Sequence, residues 1–459
     1  MQIMGIDIGT TTISIVLVDA ESGKLTTSET VSHQSFLTGR IPEEKIQDPE
    51  RIWRITKEKV DSLIHTYGPP AGIGITGQMH GMLYVDGGGN AVSPLYTWQD
   101  ACGNIPLVMC RDACGNIPSG PDRDAGGDGF FERGKSSAGI LREKAGASAA
   151  GYGIATHYYL QAVKRIPEEA RKMTTISDHI AMKLCGNTQP VIGADMAASW
   201  GCFDLKKKAF RYDALENAGM EVSYLPEVRK EHFIAGRTQD GIPVMAAVGD
   251  NQASFFGAVA SLFDTVLINV GTGSQVSFAS EDFVSCEGSI ELRPFTENGY
   301  LLAGSPLCGG RAYAMLEQFY REISGGRSYY DVMYEQAQEF VRQYGAKAAW
   351  RVTTAFSGTR DNPDERGSIT GIGVENFRPG AMTVGVIRGI LEELYLQYAK
   401  MCELTGKKAA RLVGSGNGLR RNPLMQAMAE EMFGLELKVP EYQEEAACGA
   451  ALCMAKLLD

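Results

Sequence analysis

The chain has 459 residues, of which 44% are hydrophobic and 22% charged, a balance typical of a folded globular protein too long for one compact core. Its formal net charge of −11 disfavours nucleic acid and anionic membrane as partners, because both are negatively charged. No apolar run approaches the length of a membrane span, and the first strand is predicted so early that a signal peptide is not expected.

The first predicted element is a β-hairpin near the N-terminus. An apolar strand that carries Asp7 ends in a small polar turn, and a second strand follows directly. The turn consists of Gly9, Thr10, Thr11 and Thr12. Such a turn exposes N–H groups and hydroxyls that can bind a phosphate, and the nearby carboxylate can hold the magnesium ion of that phosphate. An ordinary tight hairpin without a ligand would give the same pattern.

Helices and strands then alternate, which predicts a mostly parallel sheet with helices on its faces. A helix is predicted over 48–67 and a strand over 72–76. This strand ends in a Gly-Gln-Met-His-Gly motif that presents Gln78, Met79 and His80. Polar side chains at the carboxyl end of a strand are where open α/β sheets bind ligands. His80 could instead be a core histidine, but its place beside a glycine and close to Gln78 favours a ligand contact.

An aromatic ring, an amide and a carboxylate follow at Trp98, Gln99 and Asp100. A sugar ring has apolar C–H faces and polar edges, so this trio is suited to a sugar, although the tryptophan could equally belong to the core. A helical pattern then resumes from 168 to 184.

Residues 101–149 interrupt the alternation, since they contain many glycines and almost no aromatic residues. The sequence of residues 100–106 is also repeated at 112–118, and a repeat this short cannot form a repeat domain. We interpret the segment as a loop insertion, either a mobile lid beside the Trp98 region or a surface insertion without function. Its three cysteines lack a nearby histidine and Cys-x-x-Cys spacing, so no zinc site is predicted. The ten cysteines of the chain are scattered, which predicts reduced thiols and a cytoplasmic location.

The second half is predicted to begin near residue 246, which gives lobes of residues 1–245 and 246–459. A strand and a glycine there precede Asp250, ahead of an apolar helix. A carboxylate in this position could accept a hydroxyl proton during phosphoryl transfer. A helix N-cap would explain Asp250 alone, but not its partnership with Asn251 and Gln252.

The opening hairpin has a counterpart in the second half. A strand, the turn Gly271-Thr-Gly-Ser274 and another strand span residues 265–278. Two matching hairpins suggest two α/β lobes that face each other across a central cleft. This arrangement resembles the actin, hexokinase and Hsp70 group, and the resemblance implies ribonuclease H-like lobes with ATP between them.

The last part of the chain contains a predicted helix over 382–405, a strand over 410–413 and a final alanine-rich helix over 444–458. A glycine-rich turn with Gly414 and Gly416 follows the strand. It matches neither a Walker loop nor a dinucleotide fingerprint, but its glycines would let the backbone approach a base or ribose closely.

In chain order, these motifs resemble those of the FGGY carbohydrate kinase family, and the match runs essentially from end to end. The matching segments are a phosphate loop at 7–12, the sugar motif at 77–81, a catalytic Gly-Asp at 249–250, a second phosphate loop at 271–272, an adenosine loop at 414–422 and an Ala-x-Gly-Ala-Ala helix at 447–451.

The resemblance implies ATP and Mg²⁺ as cofactors and phosphorylation of a terminal hydroxyl of a sugar, with Asp250 as the base and Asp7 at the metal. The sugar-binding residues that it implies are Gln78, Met79, His80, Trp98, Asp100, Asp250 and Gln252. The ATP-binding residues that it implies are Thr10, Thr11, Thr12, Gly271, Thr272, Gly273, Gly309, Gly310, Gly414, Gly416 and Asn417. Family members often form homodimers, so a homodimer is a further expectation.

Gly-Gln-Met-His-Gly is typical of the ketose branch of this family. Three segments, 97–100, 151–156 and 197–201, are most similar to sedoheptulokinases, which implies sedoheptulose as the substrate. A xylulokinase or another pentulose kinase is the alternative, although xylulokinases usually have Trp-Asn-Asp where this chain has Trp-Gln-Asp.

The chain departs from the family pattern after Asp100, where Ala101 and Cys102 replace a common arginine. This leaves a catalytically inactive protein that binds sugar and ATP as another alternative. An Hsp70-like chaperone would need a peptide-binding domain, and a sugar-sensing regulator a DNA-binding helix-turn-helix; neither is predicted.

Overall fold

The computed structural model of the protein describes residues 1–107, 134–286, 288–295, 299–358, 362, 364–442 and 444–459. The chain forms two compact units, Met1–Gly257 with Glu444–Asp459, and Ala258–Gln443. Within the described residues, no helix combines the length and the apolar character needed to cross a membrane. The second copy of the duplicated heptapeptide, at 112–118, lies outside the described residues.

The first unit contains a large sheet, several small strand pairs and helices on both sides. Its strands are β1 (Gln2–Ile8), β2 (Thr12–Asp19), β3 (Leu25–Ser32), β4 (Phe36–Leu37), β5 (Ile46–Gln47), β6 (Ile73–Gly77), β7 (Leu83–Val85), β8 (Leu95–Tyr96), β9 (Lys172–Thr174), β10 (Val191–Gly193), β11 (Phe203–Asp204), β12 (Ala209–Phe210), β13 (Glu227–Arg229), β14 (Ile234–Arg237), β15 (Pro243–Met245) and β16 (Val248–Gly249). Its helices are α1 (Pro49–Tyr67), α2 (Ser137–Lys144), α3 (Gly153–Ala162), α4 (Ile176–Cys185), α5 (Ala194–Ala198), α6 (Tyr212–Asn217), α7 (Asp250–Ala258) and, at the end of the chain, α13 (Glu445–Leu458).

The main sheet of this unit has the strand order β14-β15-β6-β1-β2-β3, and β16 also pairs with β6. β1, β2 and β3 form an antiparallel meander in which Ile8 pairs with Ile13 across the first turn, so the predicted hairpin is confirmed. β6 is parallel to β1, and β15 and β16 are parallel to β6. Ile6, Ile73 and Ile75 of these strands lie in one buried cluster, as expected for a sheet covered by helices.

Helix α13 packs on β1 and β6 through backbone contact. A Cβ atom on Gly5 would lie 1.9 Å from the carbonyl oxygen of Ala447, and one on Gly74 would lie 1.9 Å from that of Ala450. No side chain fits at these strand positions, and small residues on the helix allow the close approach. This contact explains why the last helix is rich in alanine.

The domain boundary predicted between residues 245 and 246 differs from the observed one. β16 pairs with β6 of the first sheet through Val248 and Gly249, and α13 packs on the same sheet. Asp250 and the last helix therefore belong to the first unit rather than the second. Strand pairing between residues far apart in the chain decides this boundary, and local composition does not report it.

Two local predictions also need correction. The helix predicted from residue 168 begins only at Ile176, because β9 comes first and Thr175 caps α4 by accepting the Asp178 N–H at 3.0 Å. The proposed loop insertion at 101–149 contains α2, in which Ile140 and Leu141 are fully buried in the core. The C-terminal part of that segment is therefore part of the packed fold.

The second unit repeats the arrangement of the first. Its strands are β17 (Thr265–Val270), β18 (Ser274–Ser280), β19 (Ile290–Pro294), β20 (Tyr300–Gly304), β21 (Arg351–Val352), β22 (Ile369–Thr370), β23 (Arg411–Ser415) and β24 (Leu437–Lys438). Its helices are α8 (Gly310–Ile323), α9 (Tyr330–Tyr344), α10 (Pro379–Thr405), α11 (Asn417–Arg420) and α12 (Pro423–Phe433). The sheet order is β19-β20-β18-β17-β23-β24, so β17 forms a hairpin with β18 and pairs in parallel with β23, as β1 does with β2 and β6. The predicted pair of similar α/β lobes is confirmed.

Candidate active site

Three loops leave the main sheet of the first unit at the same level. Ile8 at the end of β1 pairs with Gly77 at the end of β6, and Gly77 pairs with Gly249 at the end of β16. Because the three strands are parallel, the residues that follow them lie at one carboxyl edge of the sheet, where open α/β sheets bind ligands. The residues that follow are the turn Gly9–Thr12, the motif residues Gln78, Met79 and His80, and the start of α7 with Asp250 and Gln252.

Asp7 lies two residues before the first turn and close to Asp250. Burial raises the pKa of Asp7 to about 7, and the negative charge of Asp250 adds to this shift. Among the described residues, Asp7 Oδ1 is buried without a hydrogen-bond partner. Burial and a neighbouring carboxylate both disfavour the charged form of Asp7, and a bound cation would compensate that charge.

The carbonyl groups of the first turn accept hydrogen bonds from two side chains and one backbone N–H of the unit. The ring of His33 donates from Nε2 to the Gly9 carbonyl oxygen at 3.2 Å, and Gln47 donates from Nε2 to the Thr10 carbonyl oxygen at 2.6 Å. The His33 backbone N–H donates to the Thr11 carbonyl oxygen at 3.2 Å. No described residue accepts a hydrogen bond from the N–H of Thr10 or Thr11, so these donors are available to an anion.

Three side chains hold the short strand that leads to Asp250. Asp178 Oδ1 accepts the Ala247 N–H at 3.0 Å, Thr76 Oγ1 donates to the Val248 carbonyl oxygen at 2.7 Å, and Asp195 Oδ2 accepts the Gly249 N–H at 2.9 Å. Asp178 and Asp195 are buried, and burial raises the pKa of Asp178 to about 7. Neither Asp178 nor Asp195 was predicted to be a functional residue, because their only local signal is a carboxylate in the first turn of a helix that follows a short strand.

Gly249 brings two predicted sugar-binding residues together. A Cβ atom at this position would lie 2.6 Å from Gln252 Oε1 and 2.7 Å from Met79 Sδ. Met79 and Gln252 are both buried and therefore pack directly against the strand end that precedes Asp250. The structure thus brings the predicted base and these two residues into one site.

His80 has a backbone φ of +72°, which is unusual for a residue other than glycine, and several contacts hold it there. Its N–H donates to Ser199 Oγ at 3.1 Å, and its ring Nδ1 donates to the Ser199 carbonyl oxygen at 2.6 Å. The ring also stacks on Tyr152, with a centroid distance of 4.6 Å. Trp200 Nε1 donates to the carbonyl oxygen of the next residue, Gly81, at 3.0 Å.

Trp98 and Asp100 have different surroundings. Trp98 is 47% exposed, and its indole Nε1 donates to Thr10 Oγ1 at 2.9 Å. Asp100 is only 1% exposed, and its two carboxylate oxygens accept the N–H groups of Lys45 at 3.2 Å and Cys102 at 3.1 Å. Burial raises the pKa of Asp100 to about 6. These two hydrogen bonds hold the loop that carries Trp98, and the sugar contact of Asp100 stays a prediction.

In the second unit, the predicted nucleotide-binding loops meet at one end of β17. A Cβ atom on Gly310 would lie 1.9 Å from the Gly271 carbonyl oxygen, and one on Gly309 would lie 2.3 Å from the Ser274 nitrogen. A Cβ atom on Gly416 would lie 2.5 Å from the Val270 carbonyl oxygen. The turn at 271–273 therefore contacts the loop at 309–310, and the loop at 414–417 contacts the end of β17 just before that turn.

Other residues of these loops have structural contacts. The Thr272 carbonyl oxygen accepts the Arg311 N–H at 2.8 Å, which ties the turn to the start of α8. Asn417 is the first residue of α11. A Cβ atom on Gly414 would lie 2.2 Å from Leu419 Cδ2, so this glycine is required for packing within its own loop.

The two units differ at one matching position. Asp7 and Asn269 both lie two residues before the glycine of their turn, and they pair with Thr76 and Ser415 of the neighbouring parallel strands. Asn269 Nδ2 donates to Ser415 Oγ at 2.8 Å. Only the first of these two hairpins therefore offers a carboxylate to a metal, a difference that duplication alone would not predict.

Comparison with known proteins gives matches to two family models. Residues 2–104 match the N-terminal domain, and residues 266–458 the C-terminal domain, of the FGGY family of carbohydrate kinases. Sedoheptulokinases of Mus musculus and Homo sapiens are each 27% identical to the chain over 98% and 99% of its length, and over 96% and 97% of their own. The fold is similar to that of a xylulose kinase from Rhodospirillum rubrum, with a TM-score of 0.78 at 19% identity, over 100% of this chain and 89% of that one.

Proposed function

Because the chain belongs to the FGGY family of carbohydrate kinases, we propose that it transfers the γ-phosphoryl group of ATP to a terminal hydroxyl of a ketose, with sedoheptulose as the preferred sugar. The observation that carries this proposal is that Ile8, Gly77 and Gly249 end three parallel strands at the same edge of the sheet, where Gly77 pairs with both Ile8 and Gly249. This register gathers the phosphate turn, the sugar motif and the Asp250 carboxylate in one place. A phosphate-binding turn, a sugar site and a base are the parts that the reaction needs.

Two observations support sedoheptulose. The sedoheptulokinases of mouse and human match the chain over nearly its full length. The three segments that resemble sedoheptulokinases also converge on the sugar motif. Tyr152 and Ser199 contact His80, and a Cβ atom on Gly151 would lie 2.1 Å from the Trp98 carbonyl oxygen.

In the proposed reaction, Asp250 accepts a hydrogen bond from the terminal hydroxyl of the sugar. The hydroxyl oxygen forms a bond to the γ-phosphorus, the bond between that phosphorus and the leaving oxygen of ADP breaks, and the hydroxyl proton passes to the Asp250 carboxylate. Since phosphoryl transfer has a loose transition state, orientation of the hydroxyl by Asp250 contributes more than early proton removal. The N–H groups of Thr10 and Thr11 would bind phosphate oxygens.

Asp7 is the residue that would hold Mg²⁺. Its buried Oδ1 has no partner within the described residues, and no cluster of three or more metal-ligating side chains was found there. The unpartnered carboxylate oxygen fits Mg²⁺, which binds proteins through one or two carboxylates and takes its other ligands from water and phosphate. When bound, the ion would neutralise negative charge on the phosphates.

A sugar panel tests this proposal. ADP release is measured with MgATP and ketoses of five, six and seven carbons, with glycerol and gluconate as other substrates of related kinases. We expect the highest kcat/KM for sedoheptulose. A preference for xylulose or another pentulose would assign the chain to the alternative pentulose kinases, and ATP turnover that no sugar stimulates would refute a sugar kinase.

A further inference from the structure

Gln47 links the predicted sugar site to the first phosphate turn. We propose that it is a positioning residue that couples sugar binding to the geometry of the phosphate turn. This inference depends on the proposed function, since it assigns a sugar to the Gln78 side and a phosphate to the Thr10 side.

Both ends of the Gln47 amide are used. Its Nε2 donates to the Thr10 carbonyl oxygen at 2.6 Å, and its Oε1 accepts from Gln78 Nε2 at 3.0 Å. Gln47 is 0% exposed, so water does not compete for these two hydrogen bonds. A shift of the Gln78 amide is therefore transmitted to the Thr10 carbonyl group through one rigid side-chain amide.

The Gln78 side of this link has an open acceptor. Gln78 is 3% exposed, and its Oε1 is buried without a hydrogen-bond partner in the described part of the chain. A buried amide oxygen without a partner is unfavourable, and a sugar hydroxyl that donates to it would remove this penalty. Sugar binding would then hold the Gln78 amide in one orientation.

The Thr10 side leads directly to a phosphate donor. The carbonyl group of Thr10 and the N–H of Thr11 belong to the same planar peptide unit. When Gln47 fixes the carbonyl, it therefore also fixes the direction of the Thr11 N–H, which no described residue accepts. The preceding peptide unit is held in the same way, by His33 at the Gly9 carbonyl oxygen.

Trp98 provides a second connection to the same residue. Its indole N–H donates to Thr10 Oγ1 at 2.9 Å, while the residue is 47% exposed and therefore accessible to a sugar face. Two side chains of the predicted sugar site therefore reach Thr10, one through Gln47 and one directly. A ketose that contacts both would order the turn before phosphate chemistry begins.

The coupling is measured by calorimetry as the factor by which a ketose increases affinity for AMP-PNP, a non-hydrolysable ATP analogue. Linkage requires that AMP-PNP increases ketose affinity by the same factor, which provides an internal check. We expect a wild-type factor of about 5 to 150, the usual range of such coupling, and a fall to less than about 3 in Gln47→Met. Methionine keeps the length of the side chain and removes both hydrogen bonds.

Gln161→Met is the matched control. Gln161 likewise uses both ends of its amide, since it donates to the Gly219 carbonyl oxygen at 2.9 Å and accepts the Glu221 N–H at 2.9 Å. We expect this variant, in which a partly buried amide loses both hydrogen bonds, to keep the wild-type coupling factor. Trp98→Phe keeps an aromatic face, removes the bond to Thr10, and should lower the factor even if Gln47→Met does not fold.

The outcomes separate the two proposals. A wild-type coupling factor in folded Gln47→Met, or a factor of one in a wild-type protein that phosphorylates its ketose, would overturn the role of Gln47 and leave the kinase assignment in place. If Gln47→Met does not fold, an unchanged factor in Trp98→Phe would overturn it. An equal loss of coupling in Gln161→Met would also overturn it, because general destabilisation would then explain the effect. No ketose binding by the wild-type protein would refute both proposals.

Discussion

Asp195 offers a sharp test of how the predicted base is positioned. Its Oδ2 accepts the Gly249 N–H at 2.9 Å, one residue before Asp250, and both Asp195 and Gly249 are buried. In Asp195→Ala this N–H loses its acceptor, which costs about 1–3 kcal/mol. If that cost appears at the transition state because Asp250 moves, kcat falls about 5- to 150-fold.

Steady-state kinetics with the best ketose and urea unfolding measure the two effects separately. We expect kcat to fall more than KM changes, since Asp195 contacts the strand rather than the substrate. Asp195→Asn should restore most of kcat, because an amide oxygen can still accept the Gly249 N–H. Asp204→Ala is the control: this partly buried carboxylate at the end of β11 also accepts backbone N–H groups, from Lys206 at 3.0 Å and Lys207 at 2.9 Å. Wild-type kcat in Asp195→Ala, or equal loss in the asparagine variant, would refute the reasoning.

Three further predictions concern the base, the metal ligand and the packing of the last helix. Asp250→Asn should lower kcat about 100-fold or more at nearly unchanged sugar KM, and wild-type turnover would remove Asp250 from the base role. The pKa of Asp7 is raised from 3.8 to about 7 in the folded protein. Between pH 4 and pH 7 the unfolded state therefore ionises at Asp7 more readily than the folded state, and the free energy of unfolding falls as the pH rises. In urea unfolding of the metal-free protein, Asp7→Asn should therefore be more stable than wild type by up to about 4 kcal/mol at pH 7 and by little at pH 4. An equal difference in stability at both pH values would contradict this prediction. Gly74→Ala should lower the free energy of unfolding by about 1–3 kcal/mol or more, because its Cβ would lie 1.9 Å from the Ala450 carbonyl oxygen. In the control Gly87→Ala the new Cβ would have no atom within 4 Å, so its urea unfolding should match that of the wild type.

Elements with a strong local signal were predicted well. The hairpins around Gly9 and Gly271 are present, and the predicted helices at 48–67 and 382–405 correspond to α1 and α10. A glycine-rich turn between apolar strands and a long apolar periodicity depend on neighbouring residues, so a single sequence contains them. The helix α2 was missed because its segment is glycine-rich and lies beside a duplication, although its apolar residues are buried.

The positioning residues were missed for a different reason. Gln47 bonds to Thr10 across 37 residues and Gln78 bonds to Gln47 across 31, while Thr76 reaches Val248 across 172. A buried amide or hydroxyl has no sequence pattern that identifies its partner, and its role follows only from the groups that folding places beside it.

The sequence by itself determined which chemical groups the protein has and in which local settings. A carboxylate before a Gly-Thr-rich turn, a Gly-Gln-Met-His-Gly motif and a Gly-Asp pair at a helix start are all legible from neighbouring residues, and so is their resemblance to one kinase family. Only the tertiary structure decided that Ile8, Gly77 and Gly249 end their strands at one level, and that Asp250 belongs to the first unit. Parallel strands have no short connection that sets their register, so packing and hydrogen bonds between distant segments set it.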